Sequence, residues 1–146
     1  MGFKLSKSTE TLFNQQSTEK KFTPTSPVFR KKLEPGVKGE ANKDGTIFAD
    51  ESVDLNSEEG RHMLAHEQAH IDQFNTLWDT KHRKIVKEPN ENTVALFDYD
   101  AQNVWWKGEV TKRKDIIEGA GNLSWEKDAE ERVAAKYGKK IKNKLT

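Results

Sequence analysis

Residues Leu64 to Phe74 read LAHEQAHIDQF, and within them His66-Glu67-Gln68-Ala69-His70 sets two histidines one helical turn apart with a carboxylate beside the first. At about 100° per residue, Met63, Phe74, Trp78, Ile71 and Leu64 form one apolar stripe; His66 and His70 border it, and Glu67 lies inside it. Ala65, Gln68, Ala69, Asp72 and Gln73 take the remaining, weakly polar arc, which reads as the outer side. The periodicity predicts an amphipathic helix from about Glu58 to about Thr80, capped by Asn56 or Ser57 with Glu59 close behind.

Glu67 needs a reason for its place, because a carboxylate on an apolar face is costly unless it is paired, hydrated in a cavity or protonated. Metal-assisted hydrolysis supplies one. Histidines at i and i+4 can direct their nitrogens to one zinc ion at about 2.0–2.1 Å, while the glutamate after the first reaches the zinc's water and acts as general base. The same pattern also arises on ordinary helices as two hydrogen-bonded histidines at a core edge. The chain has only four histidines, and two of them fall here behind a β-prone segment, which favours the metal.

A catalytic zinc needs a third protein ligand and an open position. The metzincin pattern would continue with a glycine and a third histidine where this chain has Gln73 and Thr76, so that class is excluded. His82 lies beyond the helix and would have to fold back. Ser124-Trp125-Glu126-Lys127-Asp128-Ala129-Glu130 offers carboxylates on a second helix, with Trp125 as an anchor; Glu126 is favoured, with Glu130 and Asp128 behind it. The competing use of this acidic turn is to complement the helix dipole.

Around these two helices the chain is polar. It has 146 residues, 25 Lys and Arg against 24 Asp and Glu, and no cysteine. That length fits one domain with a modest core. The near-zero net charge gives no global attraction to nucleic acid or an anionic membrane, and the absence of thiols leaves only nitrogen and oxygen ligands. The amino terminus lacks a secretory signal and no apolar run approaches a membrane span, so the chain reads as soluble and unprocessed. Met1-Gly2 with Ser6 formally matches a myristoylation signal, a pattern too short to carry weight.

Residues 1–33 show no apolar period and read as an extended or disordered arm, with Phe13, Phe22, Val28 and Phe29 available to dock on an assembly partner. From Glu34, turns at Pro35-Gly36 and Asp44-Gly45 precede a short strand, Thr46 to Ala49, which offers an edge for a peptide to pair with. A polar stretch, KHRKIVKEPNENT, leads to Val94–Phe97 and Val104–Trp106, a small meander or hairpin. Trp105 and Trp106 must face opposite sides, one in the core and the other towards solvent, a cleft or an interface, with packing the leading use. Ser124 caps a final helix that Gly138 ends, leaving a basic tail at 139–146. The fold class is therefore α+β: one domain over 34–138 whose two helices with candidate ligands pack on a short antiparallel sheet. Tyr99, Tyr137 and His62 are the candidate oxyanion donors.

On GEANKDGTIFADES, GRHMLAHEQAHIDQF and LSWEKDAEERVA, the chain resembles the small gluzincin-like predicted metallopeptidases of bacterial and phage genomes, including domains associated with contractile injection systems. The resemblance runs from about Glu34 to Tyr137, and the compact VALFDYDAQNVWWKGEV segment looks like phage-type members. It implies zinc at His66, His70 and Glu126, Glu67 as general base, a protein or peptide substrate, and a phage particle or envelope system as the setting. The main rival is a structural component of a larger assembly with a retained zinc site. A third reading takes KKIKNKLT and KFTPTSPVFRKK as nucleic-acid contacts; the charge balance and lack of a binding motif place it last.

Overall fold

Ser57 opens the first helix. Its hydroxyl accepts from the Gly60 N–H at 2.9 Å, and Glu58 and Glu59 follow in the first turn, where acidic charge complements the dipole. A computed structural model describes residues 24–145, with side chains through Lys136. In chain order its elements are β1 (Val28–Lys31), β2 (Gly39–Ala41), β3 (Ile47–Asp50), α1 (Glu58–Phe74), β4 (Leu77–Asp79), β5 (Lys84–Val86), β6 (Thr93–Ala95), β7 (Phe97–Tyr99), β8 (Asn103–Trp106), β9 (Glu109–Lys112) and α2 (Ser124–Leu145). The class is α+β. No helix among the described residues is long and apolar enough to cross a membrane.

The first helix ends at Phe74, earlier than its periodicity predicts. Thr76 Oγ1 donates to the Asp72 carbonyl at 2.6 Å, and the Asn75 N–H is shared between Ile71 and Asp72. These local bonds satisfy the last carbonyls and release the chain. Trp78 then sits on a strand, opposite Ile85 and Val94, where an aromatic side chain packs well.

Three small sheets accompany the two helices. In the first, β3 is central, parallel to β1 and antiparallel to β2. The expected strand at Thr46–Ala49 is thus present but offers no free edge; that role falls to β2. Because β1 belongs to this sheet, Val28–Lys31 are part of the fold rather than of the arm expected over 1–33, of which residues 1–23 lie outside the described residues. Thr25 and Ser26 N–H groups both donate to Gln68 Oε1 at 3.1 Å, which ties that entry to α1. Phe13 and Phe22 lie outside the described residues, and Phe29 is exposed. Ile47, Leu64 and Ile71 form the core between sheet and helix, with Val28, Ala41, Leu55, Met63 and Phe74 around them. Each such aliphatic side chain contributes about 1.5–3 kcal/mol on full burial.

The run Val94–Phe97 is divided. Val94 and Ala95 pair in the second sheet, β5-β4-β6, while Phe97 begins the third, β9-β8-β7. Leu96 lies buried between them, its N–H on Thr76 and its carbonyl on Lys107. The stretch read as polar and irregular supplies β5. Lys107 (φ 55°) and Gly108 (φ 81°) close the β8–β9 hairpin, two successive positive φ values as a type I′ turn requires. Trp105 and Trp106 are both half-buried. Trp106 packs edge-on to Phe97 at 6.3 Å, so neither ring takes the exposed role.

The arc of α1 read as outward is covered by α2. Ala65, Ala69, Ala129 and Val133 form a buried cluster between the helices, and small side chains let the backbones approach closely. Gln73 is fully buried there. At the start of α2 the Lys127 N–H bonds the Leu123 carbonyl, so Leu123 holds the capping position and Ser124 is the first helical residue. The backbone stays helical through Gly138 to Leu145, and most of the predicted tail therefore continues α2.

Candidate metal centre

His66 and His70 project from successive turns of α1 towards the first turn of α2. Their Nε2 atoms lie 3.1 Å apart, and Glu126 Oε1 lies 2.7 Å from His66 Nε2 and 3.1 Å from His70 Nε2. The Nδ1 atoms face other acceptors. His66 Nδ1 meets a Glu130 carboxylate oxygen and His70 Nδ1 meets Gln73 Oε1 at 2.8 Å. Each acceptor draws a proton to Nδ1 and leaves Nε2 as a lone pair when the ring is neutral.

Three lone-pair atoms then converge with no donor among them, which is untenable in a buried site without a cation. Among the described residues, His66, His70 and Glu126 are the set that could hold a metal ion. Around a tetrahedral ion with bonds of about 2.0–2.1 Å, neighbouring ligand atoms stand roughly 3.3 Å apart, so the group needs to open by only a few tenths of an ångström at most of its edges. A nitrogen and carboxylate set of this kind suits zinc among several divalent metals.

In the metal-free protein a proton takes the place of the metal. Burial opposes charge on His66, but the hydrogen bonds its ring donates to Glu126 and Glu130 outweigh it and raise its pKa to about 10. Burial likewise works to raise the two carboxylates, and their histidine partners overcome it, holding Glu126 and Glu130 at about 2. Glu67 differs: desolvation pushes its carboxyl up, with His70 and His66 opposing and Glu126 and Glu40 reinforcing. It is half-buried and lines the same cavity as the cluster.

The structure separates the four candidates for the third ligand. Glu126 alone reaches both Nε2 atoms. Glu130, one turn on, bonds His62 Nε2 through both oxygens at 3.0 Å besides His66 Nδ1, so it orients a ligand from behind. Asp128 is turned away, accepting from Gln73 and from Arg132 Nε. His82 is exposed and bonded to Asp79 at 2.9 Å in a tight turn after β4.

The cavity measures about 870 Å³ and is asymmetric. One wall is β2 and the turn before it; the other is aromatic, with Phe74, Phe97, Tyr99 and Trp125. Phe97 stacks on Phe74 and Trp125 and lies 5.3 Å from the His70 ring, so this wall also supports the ligands. Gly39 lets β2 lie against the helix: a Cβ there would stand 2.3 Å from Met63 Sδ and 3.2 Å from Glu67 Cγ. Of the candidate oxyanion donors, Tyr99 lines the cavity, His62 is committed to Glu130, and the Tyr137 side chain lies outside those described.

Sequence reasoning missed the outward partners of the histidines. Gln73, three residues after His70 on the same helix, is placed to reach back to it, and Glu130 repeats the Glu126 position one turn later. Those spacings were the available signals. Compared with protein-family models, with curated proteins and with solved structures, the chain finds no match.

Proposed function

We propose that the chain is a zinc-dependent peptidase. The observation that carries this reading is the meeting of two imidazole Nε2 atoms and one carboxylate oxygen on the wall of a large open cavity, with an uncommitted glutamate, Glu67, lining that cavity beside them. A site that only bound metal would gain nothing from a desolvated carboxylate at that position.

A bound zinc ion would supply Lewis acidity, making a water acidic near neutral pH and polarising a carbonyl oxygen. His66, His70 and Glu126 would hold it, with Glu130 and Gln73 fixing the ring orientations. Glu67 accepts a proton from the attacking water and returns it to the leaving amine nitrogen. In the metal-free protein burial pushes its carboxyl pKa up. In β2, Glu40 is paired with Phe48, and Asn42 and Lys38 bond across to Thr46 and Asp50. Alternation turns the amide and carbonyl groups of Gly39 and Ala41 to the other edge, where an extended peptide can add as a further strand. Of the oxyanion candidates read from the sequence, Tyr99 lines the cavity, and its hydroxyl would donate to the carbonyl oxygen as charge develops on it.

The test is metal analysis of the purified chain, then hydrolysis of a peptide library by the zinc-loaded protein with Glu67→Gln as control. Stoichiometric zinc, peptide cleavage and a Glu67→Gln rate lower by about 10²–10⁴-fold with unchanged metal content are expected. Absence of stoichiometric zinc in the wild type overturns the metal assignment. A second reading is favoured by one observation: an ion at this cluster would tie α1 to α2, as a structural zinc does. Tight zinc with no cleavage of any peptide selects that reading.

A further inference from the structure

We infer that Gln73 is a positioning residue that holds two of the three ligands at once, fixing the tautomer of His70 and the register of the helix that carries Glu126. This rests on the metal reading of the cluster. Gln73 is the residue that breaks the metzincin pattern, standing where that class has glycine, and it is wholly buried between α1 and α2. Its amide makes three contacts. One end lies 3.0 Å from the Trp125 carbonyl and 2.8 Å from Asp128 Oδ2, and the other lies 2.8 Å from His70 Nδ1.

The orientation of an amide is decided by its partners. Two acceptors stand at one end here, a backbone carbonyl and a carboxylate, so that end is the NH2 group. Asp128 itself accepts from Arg132 Nε at 2.7 Å. The remaining end is the oxygen, and it faces His70 Nδ1. An oxygen there requires a proton on Nδ1, which leaves Nε2 as the lone pair directed at the cluster. The order Arg132, Asp128, Gln73, His70 thus transmits a proton preference to a ligand without placing a charge beside it. His66 is held by the opposite means, the Glu130 carboxylate. The same Gln73 NH2 grips the carbonyl of Trp125, the residue before Glu126, so it also holds the third ligand's backbone against α1.

An apolar side chain of similar length keeps the packing and removes all three contacts. Zinc affinity, read by competition with a chromophoric chelator, is expected to weaken about 10- to 100-fold in Gln73→Met. Nitrogen-detected NMR of the metal-free protein should show the His70 proton fixed on Nδ1 in the wild type and distributed over both nitrogens in the variant. The double variant Gln73→Glu/Asp128→Asn restores the contact between these two side chains with the roles exchanged and keeps an acceptor on His70 Nδ1, but it turns an oxygen towards the Trp125 carbonyl, so it should return the His70 proton to Nδ1 and recover only part of the affinity. A purely structural role would lower Tm in Gln73→Met without moving the tautomer or responding to this exchange.

If Gln73→Met does not fold, Asp128→Ala removes one of the two acceptors that orient the amide, and a several-fold weaker affinity with a partly redistributed His70 proton is expected. Unchanged zinc affinity together with an unchanged tautomer in the folded variant overturns the inference while leaving the metal site intact. A wild type that binds no zinc fails at the earlier step, and one that binds zinc without cleaving peptides leaves the inference standing.

Discussion

Glu126 and Glu130 stand one turn apart on the same helix face and both contact His66, yet the geometry gives them different work. Replacing each with alanine should therefore separate them. Glu126 is buried and touches both Nε2 atoms; its loss removes a ligand and leaves an unpaired buried charge. Loss of a ligand should exceed the 10–100-fold that a supporting partner is worth; the expected weakening of zinc is roughly 10²–10⁴-fold, about 3–5 kcal/mol of binding free energy. Glu130 has about 39% of its side chain exposed, so solvent screens its charge. Its loss leaves the ligand set whole and loosens only the His66 ring, a change worth about 10–100-fold. Glu130→Gln keeps an acceptor for Nδ1–H and loses only the charge assistance, placing it at or below the lower end of that range. Competition titrations with a chromophoric chelator at fixed pH and ionic strength give the ordering. Glu130→Ala weakening zinc more than Glu126→Ala would refute the assignment, and equal losses would refute the distinction between ligand and buttress.

Proton linkage gives a second test. In the metal-free protein the Glu126 and Glu130 hydrogen bonds hold His66 protonated up to a pKa of about 10 against the pull of burial, whereas a metal ion needs its lone pair. Zinc uptake near pH 7 should release close to one proton from this ring, measured by calorimetry in buffers of differing protonation enthalpy, and apparent affinity should rise about tenfold per pH unit below pH 10. Without metal the sign is set by each pKa: the His66 contribution to stability is full below pH 6.5 and lost as pH rises through about 10, while that of Glu126 is present above pH 4.5 and lost as pH falls through about 2. Metal-free thermal stability from this cluster should thus be greatest between pH 4.5 and 6.5, and a flat profile that Glu126→Gln does not alter would contradict it. Gly39→Val should separate strand from site: the new side chain meets Met63 and Glu67, costing about 1–3 kcal/mol of stability and at least about tenfold in hydrolysis. Its zinc content should be unchanged, since no ligand touches Gly39, and full activity would show that β2 has no part in the cleft.

The helix at Glu58–Phe74 and its histidine pair were legible because both depend on short-range spacing along one element. Choosing between Glu126 and Glu130 was harder, since each could reach a histidine and the winner depends on how α2 crosses α1. That crossing is set by Ala65, Ala69, Ala129 and Val133, whose small size says little until the partner helix is known. The same cause hid Gln73. A single apolar stripe was assumed, whereas α1 is buried on two sides, against the β1–β3 sheet and against α2. Trp78 fitted the helical stripe by angle but belongs to a strand, because Asn75 and Thr76 stop the helix locally and a three-residue strand is too short to show alternation. The β2 edge was missed for a similar reason: Gly39-Glu40-Ala41 has no β propensity and owes its strand to pairing with Ile47–Ala49.

The acidic start of α2 can be read as complementing the helix dipole, and that reading does not compete with metal binding. Glu126 lies in the first turn, where the partial positive charge of the helix terminus favours the carboxylate over the acid. Keeping Glu126 ionised beside buried apolar side chains is also what a ligand requires. Counting charge around the cluster shows which cation suits it. With both histidines neutral, Glu126 and Glu130 bring two negative charges and an ionised Glu67 a third. One proton on His66 leaves the group negative, and desolvation then presses on Glu67, whose pKa is raised in the metal-free protein. A divalent ion would balance Glu126 and Glu130 together and would attract a negative charge on Glu67, so the proposed base would become better able to exist without its proton once the metal bound. The near-zero charge of the whole chain carries no trace of this local excess, which arises only when α1 and α2 meet.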